Sequence, residues 1–304
     1  MSTTASNYER ITDSIIEAME KGEVVWQKPW KSIKPCNAIT GKAYRGINPW
    51  LLALNGEKYT DHRWLTYNQA KELGGNVKKG EKSTMIVFFS PVPKKNKDTG
   101  EVNGTFWLLK SYIVFNVEQC ENLVKLAPLD TLVNVNQEKD PNIVAEEIWN
   151  NYLGKPSLET GDVACYLPSQ DKILMPRRET FKSNAFFYAI LFHESGHSTG
   201  AKNRLNRPGV AEFDNYGSEK YSKEELIAEF TSAFLCAEAG LEAPTRDNSV
   251  AYLQNWIQAL KDDKTLIVKA ATAAQKAAEH ILGTSAKNDE PEPSTSDEKE
   301  LVNA

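Results

Sequence analysis

The sequence predicts an α+β fold in two domains: a small first domain mixing helices with a hairpin, and a mainly helical second domain with a short sheet. Three observations carry this. Apolar residues recur at helical spacing near both ends of the chain, two strand-like runs flank a lysine-rich stretch in the first half, and 304 residues are enough for two cores. The 40% hydrophobic and 25% charged composition is that of a globular chain, and no run reaches the roughly 18 consecutive apolar residues of a membrane helix. A membrane partner is therefore not expected. No basic-then-apolar leader opens the sequence, so no secretory signal is expected. Cys36, Cys120, Cys165 and Cys236 are far apart and form no CxxC pair. They read as free thiols of a cytoplasmic protein, with Cys36 in surroundings that look exposed.

In chain order, Asn7 to Lys21 reads as an amphipathic helix, with Ser6 and Glu9 as a capping box and Gly22 as its stop. Asn48 and Pro49 read as the N-cap and first position of a short helix through Leu54. Thr66 and Gln69 form a second capping box. Thr84 to Phe89 and Thr105 to Phe115 read as strands, with Pro91 to Gly104 an exposed excursion between them. Asn134 to Asp140 is the candidate linker, and Asn142 to Leu153 opens the second domain as a helix. Val163 to Leu167 and Lys172 to Pro176 form a short hairpin whose edge can pair with an extended peptide. Helices follow over Asn248 to Leu260 and Lys264 to Leu282, and the acidic stretch from Ser285 reads as a disordered tail. The expected division is 1–133, a linker at 134–141, 142–284, and a tail at 285–304.

The stretch richest in chemistry is Phe186 to His197, an apolar run ending in His193-Glu194-Ser195-Gly196-His197. Residues four apart share a helix face, so His193 and His197 can address one ion while Glu194 serves as a base beside it. This is the zincin arrangement, and the expected ion is Zn2+. A third ligand is sought on a following helix, which the capping box Ser222 and Glu225 places near Tyr221. Glu229 sits in an otherwise apolar stretch, where an unpaired carboxylate is costly and a metal ion would compensate it. It is the expected third ligand. Glu225, one turn earlier, is the alternative, as a ligand or as a group holding a histidine ring. Thr199 to Ser218, with Arg204 and Arg207, reads as the rim of the cleft, and Tyr216 or Tyr221 as an oxyanion donor.

The formal net charge of -5 conceals an asymmetry: Val24 to Lys110 has 15 Lys or Arg against 6 Asp or Glu, a net of +9. Aromatic residues are interleaved with these cations, which suits single-stranded nucleic acid: bases stack on rings and cations meet phosphates. The candidate contacts are Trp26, Lys28, Trp30, Lys42, Tyr44, Arg45, Asn48, Arg63, Trp64, Lys78, Lys79 and Lys82. For each tryptophan taken alone, a place in the core is the competing reading.

Three segments of the first domain, Tyr44-Arg45-Gly46-Ile47-Asn48, Trp64 to Ala70 and Val77 to Lys82, stand with the metal motif and Glu224 to Glu229. Together they make the chain, up to about residue 285, resemble the ArdC-type antirestriction proteins of conjugative plasmids. The TraC DNA primases are also similar. The resemblance implies a single-stranded DNA-binding domain and a zincin-like metallopeptidase domain; double-stranded DNA is the alternative nucleic-acid partner. The resemblance also implies protection of incoming plasmid DNA, and it agrees with the spacing argument on a metal held by His193, His197 and Glu229. It leaves open whether peptide hydrolysis is the working activity, a host protein being the peptide substrate if it is. The alternative is a protein that coats or occludes DNA and whose metal site is structural or vestigial, with no need of hydrolysis. A nuclease is disfavoured, because no cluster of Asp and Glu suits a two-metal site.

Overall fold

The structure, a computed structural model, describes residues 4–24, 26, 34–95, 102–128, 139–211, 219–241 and 250–284. The expected tail and most of the expected linker lie outside these residues.

Helix α1, Thr4–Glu20, buries Ile11, Ile15 and Met19 and ends at Gly22, whose φ of 87° suits a residue without a Cβ. Strand β1 (Cys36–Asn37) leads to α2 (Asn48–Gly56), β2 (Arg63–Leu65), α3 (Tyr67–Glu72) and β3 (Asn76–Val77). Both halves of the Thr66–Gln69 capping box are made at the start of α3. At α2, by contrast, Asn48 is not the cap. Its amide donates to Val87 O at 2.7 Å and accepts from Val87 N at 2.8 Å, tying the helix to the sheet.

The hairpin is longer than expected. Strand β4 runs Thr84–Lys95 and β5 runs Val102–Asn116, antiparallel, so most of the anticipated excursion is strand. Pro91 and Pro93 are tolerated because β4 is an edge: the sheet order is β1-β2-β5-β4. Strand β6 (Cys120–Glu121) pairs with β3.

Helix α4 (Pro141–Asn151) is followed by β7 (Ser157–Thr160), β8 (Cys165–Leu167) and β9 (Lys172–Met175) in a sheet of order β7-β9-β8. The sequence pattern did not reveal β7, which is exposed at every position. Helix α5 (Asn184–Ser198), the short α6 (Pro208–Ala211), α7 (Glu219–Ala239), α8 (Val250–Asp262) and α9 (Leu266–Leu282) complete the fold. No helix of the described residues is long and apolar enough to cross a membrane.

The largest core draws on both halves of the chain. Ile11, Trp26, Trp50 and Leu109 pack in one cluster with Phe192, Phe230, Phe234 and Ile267. All four cysteines are free thiols, and Cys36 is buried rather than exposed.

Candidate metal centre

Helix α5 starts where Ser183 Oγ accepts from Phe186 N at 3.2 Å. Its apolar residues face inward on nearly every side, so it is a buried helix rather than a surface one. It packs on α7. Gly196 permits the contact: a Cβ there would lie 3.1 Å from Ala228 Cα and 3.1 Å from Thr231 Cβ.

Across this seam, three donor groups converge. His193 Nε2 and His197 Nε2 are 3.1 Å apart. Glu225 Oε2 lies 3.4 Å from His193 Nε2, and Glu225 Oε1 lies 3.4 Å from His197 Nε2. A first-row ion holding nitrogen and oxygen ligands at about 2.0–2.2 Å spaces neighbouring ligand atoms by about 2.8–3.6 Å. Two imidazoles and one carboxylate thus form a donor triangle that suits such an ion, with a different Glu225 oxygen 3.4 Å from each ring nitrogen. The charge pattern fits as well. Burial pushes His197 towards the neutral form, but Glu224, Glu225 and Glu194 outweigh it and hold its pKa up at about 10. Burial pushes the Glu225 carboxyl up, and the two imidazoles outweigh that, holding it well below the usual carboxylate range. The site favours positive charge, whether carried by a proton or by a metal ion.

Glu229, the third ligand expected from the sequence, is not in this cluster; among the described residues it is His193, His197 and Glu225 that come together. The two glutamates are one helical turn, about 6 Å, apart along α7, and it is the level of Glu225 that faces the two histidines. Glu229 is buried one turn on, with the Tyr252 hydroxyl donating to its Oε1 at 3.3 Å. Nor is Glu225 a capping residue, because α7 already begins at Glu219. Tyr216 lies outside the described residues, as does the side chain of Tyr221.

Glu194 is buried, and its Oε2 accepts from Tyr166 N on the edge strand β8 at 2.8 Å. Tyr166 is held in turn. Its hydroxyl donates to Asp171 Oδ1 at 2.9 Å, and Arg204 grips both Asp171 oxygens at 2.8 Å. Arg204 also donates to Ser198 O at 2.9 Å, closing the chain back onto the end of α5. Sequence reasoning placed Arg204 and Arg207 only on the rim; their carboxylate partners are distant in sequence and leave no local pattern.

The expected DNA contacts divide sharply. Trp26 is 1% exposed, with its ring 5.3 Å from Phe230 and 6.0 Å from Trp256. Tyr44, Asn48, Arg63 and Trp64 are buried as well. Arg63 is clasped by Asp61 and donates to Ala127 O. Stacking needs an open ring face, so Trp26, Tyr44 and Trp64 are corrected to core residues. Arg45 is paired with Glu279 of α9 at 2.5 Å. Lys42, Lys78, Lys79 and Lys82 are exposed. Lys28 and Trp30 lie outside the described residues.

Residues 5–115 match the N-terminal domain of anti-restriction factor ArdC, and residues 145–273 match a zincin-like metallopeptidase family. The metal-free crystal structure of the antirestriction ArdC protein from the R388 plasmid is 41% identical, with a TM-score of 0.73, covering 91% of this chain and 97% of that one. Its Mn(II)-bound structure is 39% identical, with a TM-score of 0.72, covering 93% and 99%. The DNA primase TraC of Escherichia coli is 35% identical over 90% of this chain, which spans only 20% of that protein. Protein y4eC of Sinorhizobium fredii is 33% identical over 91% of this chain and 92% of its own length. The Mn(II) in the ArdC structure overturns the expectation of Zn2+. Two imidazoles and a carboxylate accept several first-row ions, and the motif alone does not choose among them. Similarity across nearly the full length of both chains places this protein in the ArdC family of antirestriction proteins.

Proposed function

We propose that this protein is an antirestriction factor that binds single-stranded DNA through its N-terminal half, residues 1–133, and acts in the cytoplasm. On this reading the second half, residues 142–284, holds one divalent ion at His193, His197 and Glu225, Mn(II) being the ion of its relative. Glu194 is the base of a site that hydrolyses a peptide bond in a host protein. The observation that carries the metal assignment is the convergence of three donor groups: the His193 and His197 Nε2 atoms are 3.1 Å apart, and each has one Glu225 oxygen at 3.4 Å. DNA binding is supported by the family and by the exposed Lys42, Lys78, Lys79 and Lys82 in a segment of net charge +9, from 15 Lys or Arg against 6 Asp or Glu.

When bound, the ion supplies a Lewis acid that polarises the scissile carbonyl and acidifies a water. Glu194 takes the proton of the attacking water through the oxygen that Tyr166 does not hold, and delivers it to the leaving amine. The Tyr166 N–H keeps the carboxylate from turning away. The test is Glu194→Gln: it keeps Mn(II) uptake and loses peptide hydrolysis, and continued cleavage by the purified variant removes Glu194 from the base role.

A second reading is a DNA-occluding protein that needs no hydrolysis. Glu194 has a structural partner in Tyr166, which gives its carboxylate a use without catalysis. Protection of DNA that survives Glu194→Gln with Mn(II) still bound selects this reading.

A further inference from the structure

Arg207 follows α5 and is almost wholly enclosed. Its Nε donates to Glu224 Oε2 at 3.0 Å and its Nη2 to Glu224 Oε1 at 2.5 Å. Nη1 donates to Thr199 Oγ1 at 2.7 Å and Nη2 also to Gly196 O at 2.8 Å. Gly196 is in the last turn of α5 and Thr199 caps it, at the helix end whose dipole favours a cation. Glu224 belongs to α7. One side chain therefore joins the two ligand-bearing helices, within a turn of both His197 and Glu225.

Glu224 passes the constraint on. Its Oε1 faces His197 Nδ1 at 3.6 Å, the ring nitrogen opposite the one that points into the donor triangle. Metal-bound histidines are commonly oriented through this second nitrogen. The space for Arg207 depends on Gly200, where a Cβ would sit 3.0 Å from Arg207 Nη2 and 2.6 Å from Val210 Cγ2.

We propose that Arg207 and Glu224 are positioning residues for the metal ion: Arg207 fixes Glu224, and Glu224 fixes the ring of His197. This rests on the metal assignment made above. Charge and positioning predict opposite signs for Arg207. If its positive charge were all that mattered, removing it from beside a cation site would tighten cation binding. If it holds Glu224 in place, removing it loosens the site.

The experiment is calorimetric titration of the full chain with Mn(II) at fixed pH and ionic strength. Arg207→Gln, Arg207→Lys and Glu224→Asp each weaken Mn(II) binding roughly 10- to 100-fold, with circular dichroism unchanged. Glu224→Asp keeps every charge and withdraws the carboxylate from His197, so it decides the matter if the Arg207 variants do not fold. Binding by folded Arg207→Gln, or by Glu224→Asp, that equals or exceeds that of the wild type overturns the proposal. A wild type that takes up no Mn(II) overturns the metal assignment and the proposal with it.

Discussion

Gly196 lies between the two histidines of the motif and against α7, so Gly196→Ala tests the geometry of the whole centre. An added Cβ would meet Ala228 Cα at 3.1 Å, Thr231 Cβ at 3.1 Å and Thr231 Cγ2 at 3.4 Å. Ordinary carbon contacts are about 3.5–4.0 Å, so α7 must retreat by about 0.4–0.9 Å. Overpacking of this kind costs about 1–3 kcal/mol, while alanine in a helix interior regains about 0.8–1.0 kcal/mol over glycine. The net expectation is a loss of roughly 0–2 kcal/mol, read by urea unfolding in EDTA. The larger effect falls on the ion. Glu225 travels with α7, whereas His193 and His197 stay with α5, so the triangle opens on the Glu225 side by about half an ångström. Mn(II) binding should weaken by about tenfold or more, equivalent to about 1.4 kcal/mol. A variant that is about 1 kcal/mol more stable and binds Mn(II) like the wild type refutes the close approach of α5 and α7.

Calorimetry should also separate the two glutamates: Glu225→Gln loses Mn(II) affinity by about 100-fold, and Glu229→Gln stays within a few-fold of wild type. Trp26→Ala should cost about 3–5 kcal/mol in unfolding free energy; unchanged stability with lost DNA binding would put the ring back at the DNA surface. Replacing Lys78, Lys79 and Lys82 together by alanine should weaken single-stranded DNA binding, and lower the slope of log affinity against log salt by about 0.7 for each phosphate no longer neutralised. Asp171 supplies the pH dependence. Burial raises its carboxyl, but hydrogen bonds from Arg204 and Tyr166 outweigh this and hold it below the ordinary value of 3.8. Its contribution is therefore complete above pH 3.8 and fades as pH falls through the lower folded value, and melting curves of Asp171→Asn should lack that acid-side loss.

What could be read from the sequence follows from how far each signal reaches along the chain. The capping box at Thr66, the stop at Gly22 and the histidine pair are set by residues within four positions of one another, and local chemistry fixes them. The length of the hairpin was not legible, because prolines normally end a strand and only the edge position of β4 excuses them. Between Glu225 and Glu229 the sequence offers two carboxylates on one face. The choice depends on how far α7 slides along α5, which Gly196, Ala228 and Thr231 set by close contact. The aromatic residues near the N-terminus misled for a related reason. Interleaving with lysine looks the same whether the rings face bases or plug a core.

That last ambiguity bears on how the two halves depend on each other. Trp26 packs on Phe230, and Trp50 on Phe230 and Phe234 at 5.5 and 5.2 Å, all on α7. Phe230 follows Glu225 by five residues on the same helix. Trp26, expected to touch DNA, instead joins Trp50 in bracing the helix that carries Glu225. The position of α7 is therefore set from two sides, by the glycine-permitted seam with α5 and by tryptophans from the other half of the chain. Because the donor triangle requires α7 at one height and one distance, the N-terminal half contributes to the metal centre without supplying a donor to it.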